Sequence, residues 1–427
     1  MDLDDFLGAL AAAAVVPPLV LDDAREATEL RVRRYRARRR IVSGIALVVV
    51  LATVLGGIVA VTRPSTEESV FVGQGRPGLT ALPSEVAFVD ATHGFGLLSQ
   101  CDVPLDADPV CDITIGASAD GGRTWVAAGR ISQIRYAGWR GYPFIDLAAR
   151  GTHVWVYGNR TFSSADGGKT FGEEQPGGIV SAFVARNDGA WAAVRDCAPS
   201  VTCATKLASV SMSGGTWHVF AHSPAITYPY VQLVRPTAAV VYLLPRDGGG
   251  VAYRSVDSGR SWRTLQLPEP HSVVALAAFG SSRVWVMSAD ANAAATQGGR
   301  KQLARSEDGG FTWRTVAVDV GAFTIRGQLP VGGFPQDLVA TARNRLWTPL
   351  DRGPLLGSLD GGGHWLDAHV DSPIVGLSFV DAQHGWATSG GAALYRTTDG
   401  VHWHLIAGRP VKVNVAPTAT SSTVGRP

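Results

Sequence analysis

A short pattern that recurs seven times constrains the fold of this 427-residue chain more than any other feature. In its full form it reads Ser, any residue, Asp, any residue, Gly, any residue, Thr or Ser, and an aromatic residue. The copies, some of them incomplete, lie at 118–125, 164–171, 210–217, 255–262, 306–313, 358–365 and 397–403. Their central positions are 39 to 52 residues apart, which is typical of a repeat architecture in which each copy belongs to one structural unit.

The residue types in this pattern are those of a tight turn. An Asp side chain accepts hydrogen bonds from the backbone N–H groups that follow it, and Gly adopts positive φ at no steric cost. The closing aromatic residue begins the next strand and covers the turn with apolar surface. We therefore expect structural carboxylates, rather than catalytic or calcium-binding ones, at Asp120, Asp166, Asp257, Asp308, Asp360 and Asp399.

Two more strand-like segments precede each turn, an apolar one and then one that contains an aromatic residue. These aromatic residues are Phe95, Trp155, Trp191, Tyr242, Trp285, Trp347 and Trp386. With the strand after the turn, each unit contains four strands, and seven units span Val86 to Ile406 at about 46 residues each. The sequence therefore predicts an all-β fold, a seven-bladed β-propeller of four-stranded blades, whose radial closure leaves few exposed sheet edges.

The turn resembles the Asp-box, also called the BNR repeat, of sialidase-like β-propellers. The segments FVDATHGFGL (88–97) and FVDAQHGWAT (379–388), each followed by such a turn, resemble the repeat of the photosystem II assembly and stability factor family. The resemblance covers about three quarters of the chain. It implies the propeller fold. Because one fold hosts many activities, it leaves two functions open, which are assembly of a membrane complex and sialidase-like hydrolysis.

A membrane anchor is predicted before the propeller. Residues 41–62 contain no charged side chain and would form a helix of ~33 Å, enough to cross a bilayer. Residues 31–40 contain seven Arg, which favours a cytoplasmic N-terminus and an exported propeller. A cleaved signal peptide is the alternative for the apolar segment, and an RNA-binding arm is the alternative for the Arg residues. The Arg-, Ala- and Gly-rich composition points to the cell membrane of a bacterium.

The predicted organisation has five parts. They are a cytoplasmic segment at 1–40, a transmembrane helix at 41–62, a linker at 63–80, the propeller at 81–407 and a disordered tail at 408–427. The four Cys residues agree with export to an oxidising compartment, where Cys101 would pair with Cys111 and Cys197 with Cys203. Zinc binding is the alternative, but these spacings lack the paired Cys-x-x-Cys pattern.

The sequence gives little support for catalysis. The Arg-Ile-Pro motif of sialidases does not occur. A glycosidase also needs two carboxylates that face each other across the bond, but Glu is scarce in the propeller and most Asp residues are assigned to turns. We expect a non-enzymatic binding or scaffolding module without cofactor or metal, and a sialidase-like glycoside hydrolase is the alternative. A formal net charge of +2 predicts no overall electrostatic attraction to nucleic acid.

The long connections of the repeat predict where a partner binds. The segments 99–111, 129–143, 195–205, 289–302 and 317–336 all belong to the connections on one face of a propeller, around the channel mouth. Two of them contain candidate ligand-binding residues of the types enriched at interface hot spots. These are Arg135, Tyr136, Trp139, Arg140, Tyr142 and Arg326. The expected ligand is a protein or a glycan, and the alternative is that these aromatic residues only cap the channel.

Overall fold

The structure is a computed structural model that describes residues 81–409. Its gaps are 102–109, 136–144, 196–203, 213, 229, 247–249, 269–271, 290–300, 319–327, 331–332 and 352. The predicted membrane segment, the linker before residue 81 and the tail after residue 409 lie outside the described residues. Within the described part, no helix combines the length and the hydrophobicity that a bilayer crossing requires.

The described residues form 28 strands in seven four-stranded antiparallel sheets, and each sheet consists of four strands consecutive in sequence. Blade 1 contains β1 (Glu85–Phe88), β2 (Gly94–Cys101), β3 (Val110–Ser118) and β4 (Val126–Arg135). Blade 2 contains β5 (Ile145–Arg150), β6 (His153–Gly158), β7 (Thr161–Ser164) and β8 (Gly172–Glu174). Blade 3 contains β9 (Ile179–Arg186), β10 (Gly189–Arg195), β11 (Lys206–Val210) and β12 (His218–Val219).

The remaining four blades repeat this order. Blade 4 contains β13 (Val231–Val234), β14 (Val241–Pro245), β15 (Val251–Ser255) and β16 (Arg263–Gln266). Blade 5 contains β17 (Ser272–Phe279), β18 (Arg283–Ala289), β19 (Lys301–Ser306) and β20 (Arg314–Val318). Blade 6 contains β21 (Val339–Ala342), β22 (Arg345–Pro349), β23 (Leu355–Ser358) and β24 (Leu366–Asp367). Blade 7 contains β25 (Gly376–Phe379), β26 (Gly385–Thr388), β27 (Ala393–Thr397) and β28 (His404–Gly408), so the predicted seven-bladed propeller is confirmed.

The second strand of each blade lies in the core between neighbouring sheets. All residues of β10, β14 and β26 are buried, and β6, β18 and β22 are buried after their first residue. A strand that is covered on both faces reads as a continuous apolar run rather than as an alternating one. This explains why the aromatic segments of the repeat, such as VWVYG and VWVMS, lack polar alternation.

The turns at the recurring Asp residues, called Asp turns below, are closed by their own side chains. In blade 2, the Ser164 hydroxyl donates to Asp166 Oδ1 at 2.7 Å and accepts from the Gly168 N–H at 2.9 Å. The Thr170 N–H and hydroxyl donate to the two carboxylate oxygens of Asp166 at 3.0 and 2.7 Å. The hydrogen bonds from Thr170 hold the pKa of Asp166 well below its usual range. In blade 4, the hydrogen bonds from Ser261 lower the pKa of Asp257 to about 2.

In blades 4, 5 and 7 the aromatic residue on the second strand links its blade to the Asp turn of the next blade. The indole N–H of Trp285 donates to the Gly361 carbonyl at 3.0 Å, and the Tyr242 hydroxyl donates to the Gly309 carbonyl at 3.4 Å. In blade 6, however, the buried Trp347 Nε1 has no hydrogen-bond partner in the described structure. The turn that follows it, at 397–403, is one residue shorter and carries one Gly instead of two.

The ring closes between blade 7 and blade 1 by the same contact. The Trp386 indole N–H donates to the Gly121 carbonyl at 2.8 Å, and the ring of Phe88 stacks on Trp386 at a centroid distance of 3.6 Å. The Arg396 guanidinium donates to the Ala91 carbonyl at 2.8 Å across the same junction. Both blades consist of consecutive strands, so side chains rather than an exchanged strand close the described ring.

The outer strands are protected from pairing with other chains, which is the usual hazard of a sheet edge. Three of them, β8, β12 and β24, have only two or three residues. The pairings of β4, β20 and β28 contain register shifts that interrupt a regular edge. The outer edge of β16 is covered by Trp313, whose indole N–H donates to the Gln266 carbonyl at 3.0 Å.

One disulfide lies in the described part of the chain. Cys101 and Cys111 are opposite residues on β2 and β3, and they form a disulfide at the ends of the connection 102–109. Cys197 and Cys203 lie outside the described residues, so their pairing stays a prediction.

The hydrogen bond between neighbouring blades can be measured with two matched substitutions. Trp386→Phe removes the donor to the Gly121 carbonyl, while Trp347→Phe removes an indole N–H that has no partner in the described structure. Both side chains are fully buried, so the loss of volume is the same in the two variants. We expect Trp386→Phe to lower the free energy of unfolding in urea by about 1–3 kcal/mol more than Trp347→Phe. Equal destabilisation of the two variants would show that stacking alone holds the blades.

Candidate functional site

The strand order divides the connections of the propeller between two faces. The connections from first to second strand and from third to fourth strand, which include the Asp turns, lie on one face, called the Asp-turn face. The connections from second to third strand and from blade to blade lie on the other, called the loop-rich face. The strand bounds place the longest connections on this loop-rich face, at 102–109, 136–144, 196–205, 220–230, 290–300 and 319–338.

The candidate ligand-binding residues from the sequence fall in two of these connections. Arg135 is the last residue of β4, where its backbone pairs with Val110. Tyr136, Trp139, Arg140 and Tyr142 follow it in the connection to β5, and Arg326 lies between β20 and β21. These five residues are outside the described residues, so their part in binding stays a prediction.

The structure adds three carboxyl groups that the sequence analysis did not identify. Glu85 is the first residue of β1, Asp146 is the second residue of β5, and Asp337 lies two residues before β21. The first strands begin at the loop-rich face and line the central channel. All three carboxyl groups lie at or just before the start of a first strand, and their charges raise the pKa of Tyr157. Asp146 lies just after the connection 136–144, and Asp337 lies near the end of the connection 319–338.

Tyr157 and Asp146 form a hydrogen-bonded pair in this region. The Tyr157 hydroxyl donates to Asp146 Oδ2 at 3.0 Å, and the Leu147 N–H donates to Asp146 Oδ1 at 2.7 Å. Burial raises the pKa of Tyr157 well above its usual value, and the charge of Asp146 raises it further. Tyr157 therefore remains a hydrogen-bond donor at neutral pH and orients the Asp146 carboxylate.

Asp337 joins blades 4, 5 and 6 at the mouth. Its Oδ1 accepts hydrogen bonds from the Leu338 N–H at 2.8 Å and from the Gln232 amide at 3.0 Å. The amide oxygen of Gln232 in turn accepts from the Leu276 N–H at 2.8 Å. Gln232 therefore connects blade 4 to blade 5 and to the segment that enters blade 6.

Surrounding protein raises the pKa of the Asp337 carboxyl, and the charge of Arg246 opposes this effect. The nearest approach of Arg246 Nη2 to Asp337 Oδ1 is 3.8 Å, and 44% of the Asp337 side chain is exposed. This carboxyl is therefore crowded by the channel wall but still in contact with channel water, which moderates the rise. It has a higher proton affinity than the Asp-turn carboxyls at the opposite face.

The described groups at the mouth are suited to polar recognition of a ligand. Across the part of the chain that the structure describes, no three His, Cys, Asp or Glu side chains converge on a possible ion position. The mouth contains carboxylates, a tyrosine hydroxyl and an amide. These groups can form hydrogen bonds with the amino groups, amides or hydroxyls of a ligand.

Comparison with known proteins identifies the fold. No family model matches the chain, and no curated protein matches it. Among solved structures, YCF48 bound to D1 peptide matches with 18% identity and a TM-score of 0.51, covering 75% of this chain and 94% of that chain. YCF48 from Cyanidioschyzon merolae matches with 15% identity and a TM-score of 0.50, covering 77% of this chain and 97% of that chain.

An ancestral GH74 enzyme also matches, with 11% identity and a TM-score of 0.50, covering 78% of this chain and 47% of that chain. The chain therefore resembles both YCF48 and GH74 propellers, as the sequence patterns indicated. At these identities the likeness shows the propeller fold alone.

The proton affinity of Asp337 can be tested by substituting Arg246. Arg246→Gln removes the positive charge that opposes protonation, so we expect the pKa of Asp337 to rise further in this variant. The measurement is a pH titration of the ¹³C carboxyl signal of Asp337, assigned with Asp337→Asn. In the wild-type chain its midpoint should lie above ~3.9, the unperturbed value for Asp. Arg314→Gln on the outer strand β20 is the control and should leave the midpoint unchanged. A lower midpoint in Arg246→Gln would contradict this assignment.

Proposed function

We propose that this chain is a non-enzymatic binding or scaffolding protein that holds a segment of a protein partner at the loop-rich mouth of its channel. The observation that carries this proposal is the concentration of variable features on one face. All the longest connections, the three channel carboxyl groups and both ends of the propeller lie there. Variable loops on a rigid scaffold are the usual place for binding.

A protein ligand is favoured over a glycan by the solved structures of similar fold. One of them is YCF48 bound to D1 peptide, so a propeller of this fold binds a peptide. The channel mouth of the present chain offers carboxylates, a phenol and an amide, which suit the amides and amino groups of a peptide. We therefore infer that the chain acts as an assembly or scaffolding factor for a protein complex.

We further propose that residues 41–62 anchor the propeller in a bacterial cell membrane, with residues 1–40 in the cytoplasm and the propeller outside. Residues 63–80 would then span at most ~60 Å, because an extended residue covers about 3.3–3.6 Å. The chain enters β1 at the loop-rich face, so this linker would keep the channel mouth within reach of the membrane surface. The partner would be an extramembrane segment of a membrane protein.

The candidate loop is tested by substituting its central residues. In the full-length chain, Trp139→Ala with Arg140→Ala should reduce the amount of partner cross-linked and recovered from detergent-solubilised membranes about tenfold, since Trp and Arg are typical hot-spot residues. The melting temperature should stay nearly unchanged, because substitutions outside the packed core of a fold have small effects on stability. Arg314→Gln is the matched control and should leave recovery unchanged. A large fall in melting temperature with recovery intact would instead show that these residues cap the channel.

A second candidate function, glycoside hydrolysis, is favoured by one observation. A glycoside hydrolase uses a carboxylic acid of raised pKa as proton donor and a second carboxylate as base or nucleophile. The pKa of Asp337 is raised, and the charges of Asp146 and Asp337 both raise the pKa of Tyr157.

The binding proposal and this second candidate give opposite results with fluorogenic glycosides, including a sialoside. We expect the wild-type chain, Asp337→Asn and Asp146→Asn to release the same background fluorescence, because binding requires no proton transfer. Turnover by the wild-type chain that disappears in both variants would establish hydrolysis and overturn the non-enzymatic proposal. Circular dichroism and the melting temperature of each variant would confirm that the fold is retained.

A further inference from the structure

Blade 5 departs from the other blades on the Asp-turn face, opposite the loop-rich mouth. It presents two exposed aromatic rings there, Phe279 at the end of β17 and Phe311 in its Asp turn. The exposed fraction is 40% for Phe279 and 49% for Phe311. In a repeat protein, the equivalent residues of the other blades show which structural role each position has. Neither Phe279 nor Phe311 has the role of its equivalents.

The position of Phe279 is filled differently in blades 1 and 7. There the last residue of the first strand is Phe88 or Phe379, and the residue opposite is Gly94 or Gly385. A Cβ atom at Gly94 would lie 2.4 Å from the ring of Phe88, and one at Gly385 would lie 2.3 Å from the ring of Phe379. These rings therefore need a glycine opposite them in order to pack inwards.

In blade 5 the residue opposite Phe279 is Arg283, which carries the Cβ atom that Gly94 and Gly385 lack. Phe88 and Phe379 stack on the aromatic residue of the preceding blade, Trp386 and Trp347. Phe279 has no such ring contact in the described structure and remains on the surface. Its exposure therefore follows from a local change in the repeat.

Phe311 replaces a polar residue. The same place in three other Asp turns is held by the exposed cations Arg123, Lys169 and Arg260. The N–H of Phe311 donates to Asp308 Oδ1 at 2.9 Å, which any residue except Pro would supply. The aromatic side chain is therefore not required by the turn.

Arg254 of blade 4 lies between these two features. Its guanidinium carbon is 5.5 Å from the centre of the Phe311 ring, and its Nη2 donates to the Ser281 carbonyl, two residues after Phe279, at 2.9 Å. Its Nε donates to the Tyr242 hydroxyl at 3.1 Å. Both acceptors are neutral, and no carboxylate of the described residues lies within ion-pair distance of Arg254.

The carboxylates of the Asp turns in blades 4 and 5 are already occupied. Asp257 and Asp308 accept hydrogen bonds from the hydroxyl and amide groups of their own turns. Val256, two residues after Arg254, adds apolar surface with an exposed fraction of 52%. The junction thus combines an unpaired positive charge with three exposed apolar side chains, which we call the blade 4–5 patch (Val256, Phe279 and Phe311 around Arg254).

We propose that the blade 4–5 patch is a docking surface for a protein segment that presents an apolar side chain next to a carboxylate. The apolar side chain would pack on the two Phe rings, and the carboxylate would pair with Arg254. Aromatic and Arg residues are the types that dominate binding energy at protein interfaces. Because this surface lies on the face opposite the channel mouth, it would let the propeller hold a second partner at the same time.

A random 12-residue peptide library displayed on phage tests this proposal. The full-length chain is the bait, and the full-length double variant Phe279→Ala with Phe311→Ala is used for counter-selection. Both rings are exposed, so the melting temperature of the double variant should match that of the wild-type chain. We expect the enriched peptides to carry Leu, Ile or Phe beside Asp or Glu.

One enriched peptide, labelled with fluorescein, then gives affinities by anisotropy. We expect binding to the double variant to be about tenfold weaker or more. Leu405→Ala is the matched control, since Leu405 is 42% exposed on β28 of blade 7, and it should bind like the wild-type chain. Raising the salt concentration from ~0.05 to ~0.5 M should weaken binding, because a charge pair contributes.

Three results would overturn the proposal. The first is no enrichment on the wild-type chain relative to the double variant. The second is equal binding of a peptide in which Lys replaces the acidic residue. The third is concentration-dependent dimerisation of the wild-type chain that the double variant loses, which would assign the patch to a second copy of this chain.

Discussion

The contact between blades centres on the aromatic residue of the second strand, which in blades 4, 5 and 7 donates a hydrogen bond to a glycine carbonyl in the Asp turn of the next blade. The donor is buried, so its N–H or hydroxyl needs an acceptor, and the turn presents one at the required place. Because the Asp carboxylate closes the turn, the same residue fixes both the hairpin within a blade and the contact between blades. The junction where the chain ends meet uses this contact too, from Trp386 to Gly121. The ring therefore closes by a contact that also joins blades 4 and 5 and blades 5 and 6.

The fold could be predicted because the chemistry of the turn is local in sequence. Asp166 is held by Ser164 and Thr170, so a short pattern reports the whole structure of the turn. The contact between Trp386 and Gly121 joins residues 265 positions apart, and a repeat pattern does not say which turn receives which indole. The carboxyl groups Asp146 and Asp337 were not identified because they occupy different positions relative to their strands, so no periodicity marks them. The candidate residues at 136–142 stay predictions, because their connection lies outside the described residues.

The two faces of the propeller follow different rules. On the Asp-turn face, almost every position has a role in a turn or in a contact between blades, so a residue without such a role is conspicuous. On the loop-rich face, the connections are not constrained by the repeat, and their length and composition vary from blade to blade. Function on the first face is therefore recognised by departure from the repeat, as at Phe311. On the second face it is recognised by what the topology brings together, as at Asp146 and Asp337.

The short Asp turn of blade 7 makes one junction different from the others. Trp347 and Trp403 keep their ring contacts with each other there, but both indole N–H groups lack an acceptor in the described structure. The junction where the chain ends meet has its indole bond and a stacked Phe88 in addition. Blades 6 and 7 are therefore held by ring packing and by the Arg345 guanidinium, which donates to the Ala382 carbonyl at 2.8 Å, rather than by an indole hydrogen bond. Because apolar packing is not directional, it fixes the orientation of blade 7 less strictly on this side than the Trp386 hydrogen bond does on the side of blade 1.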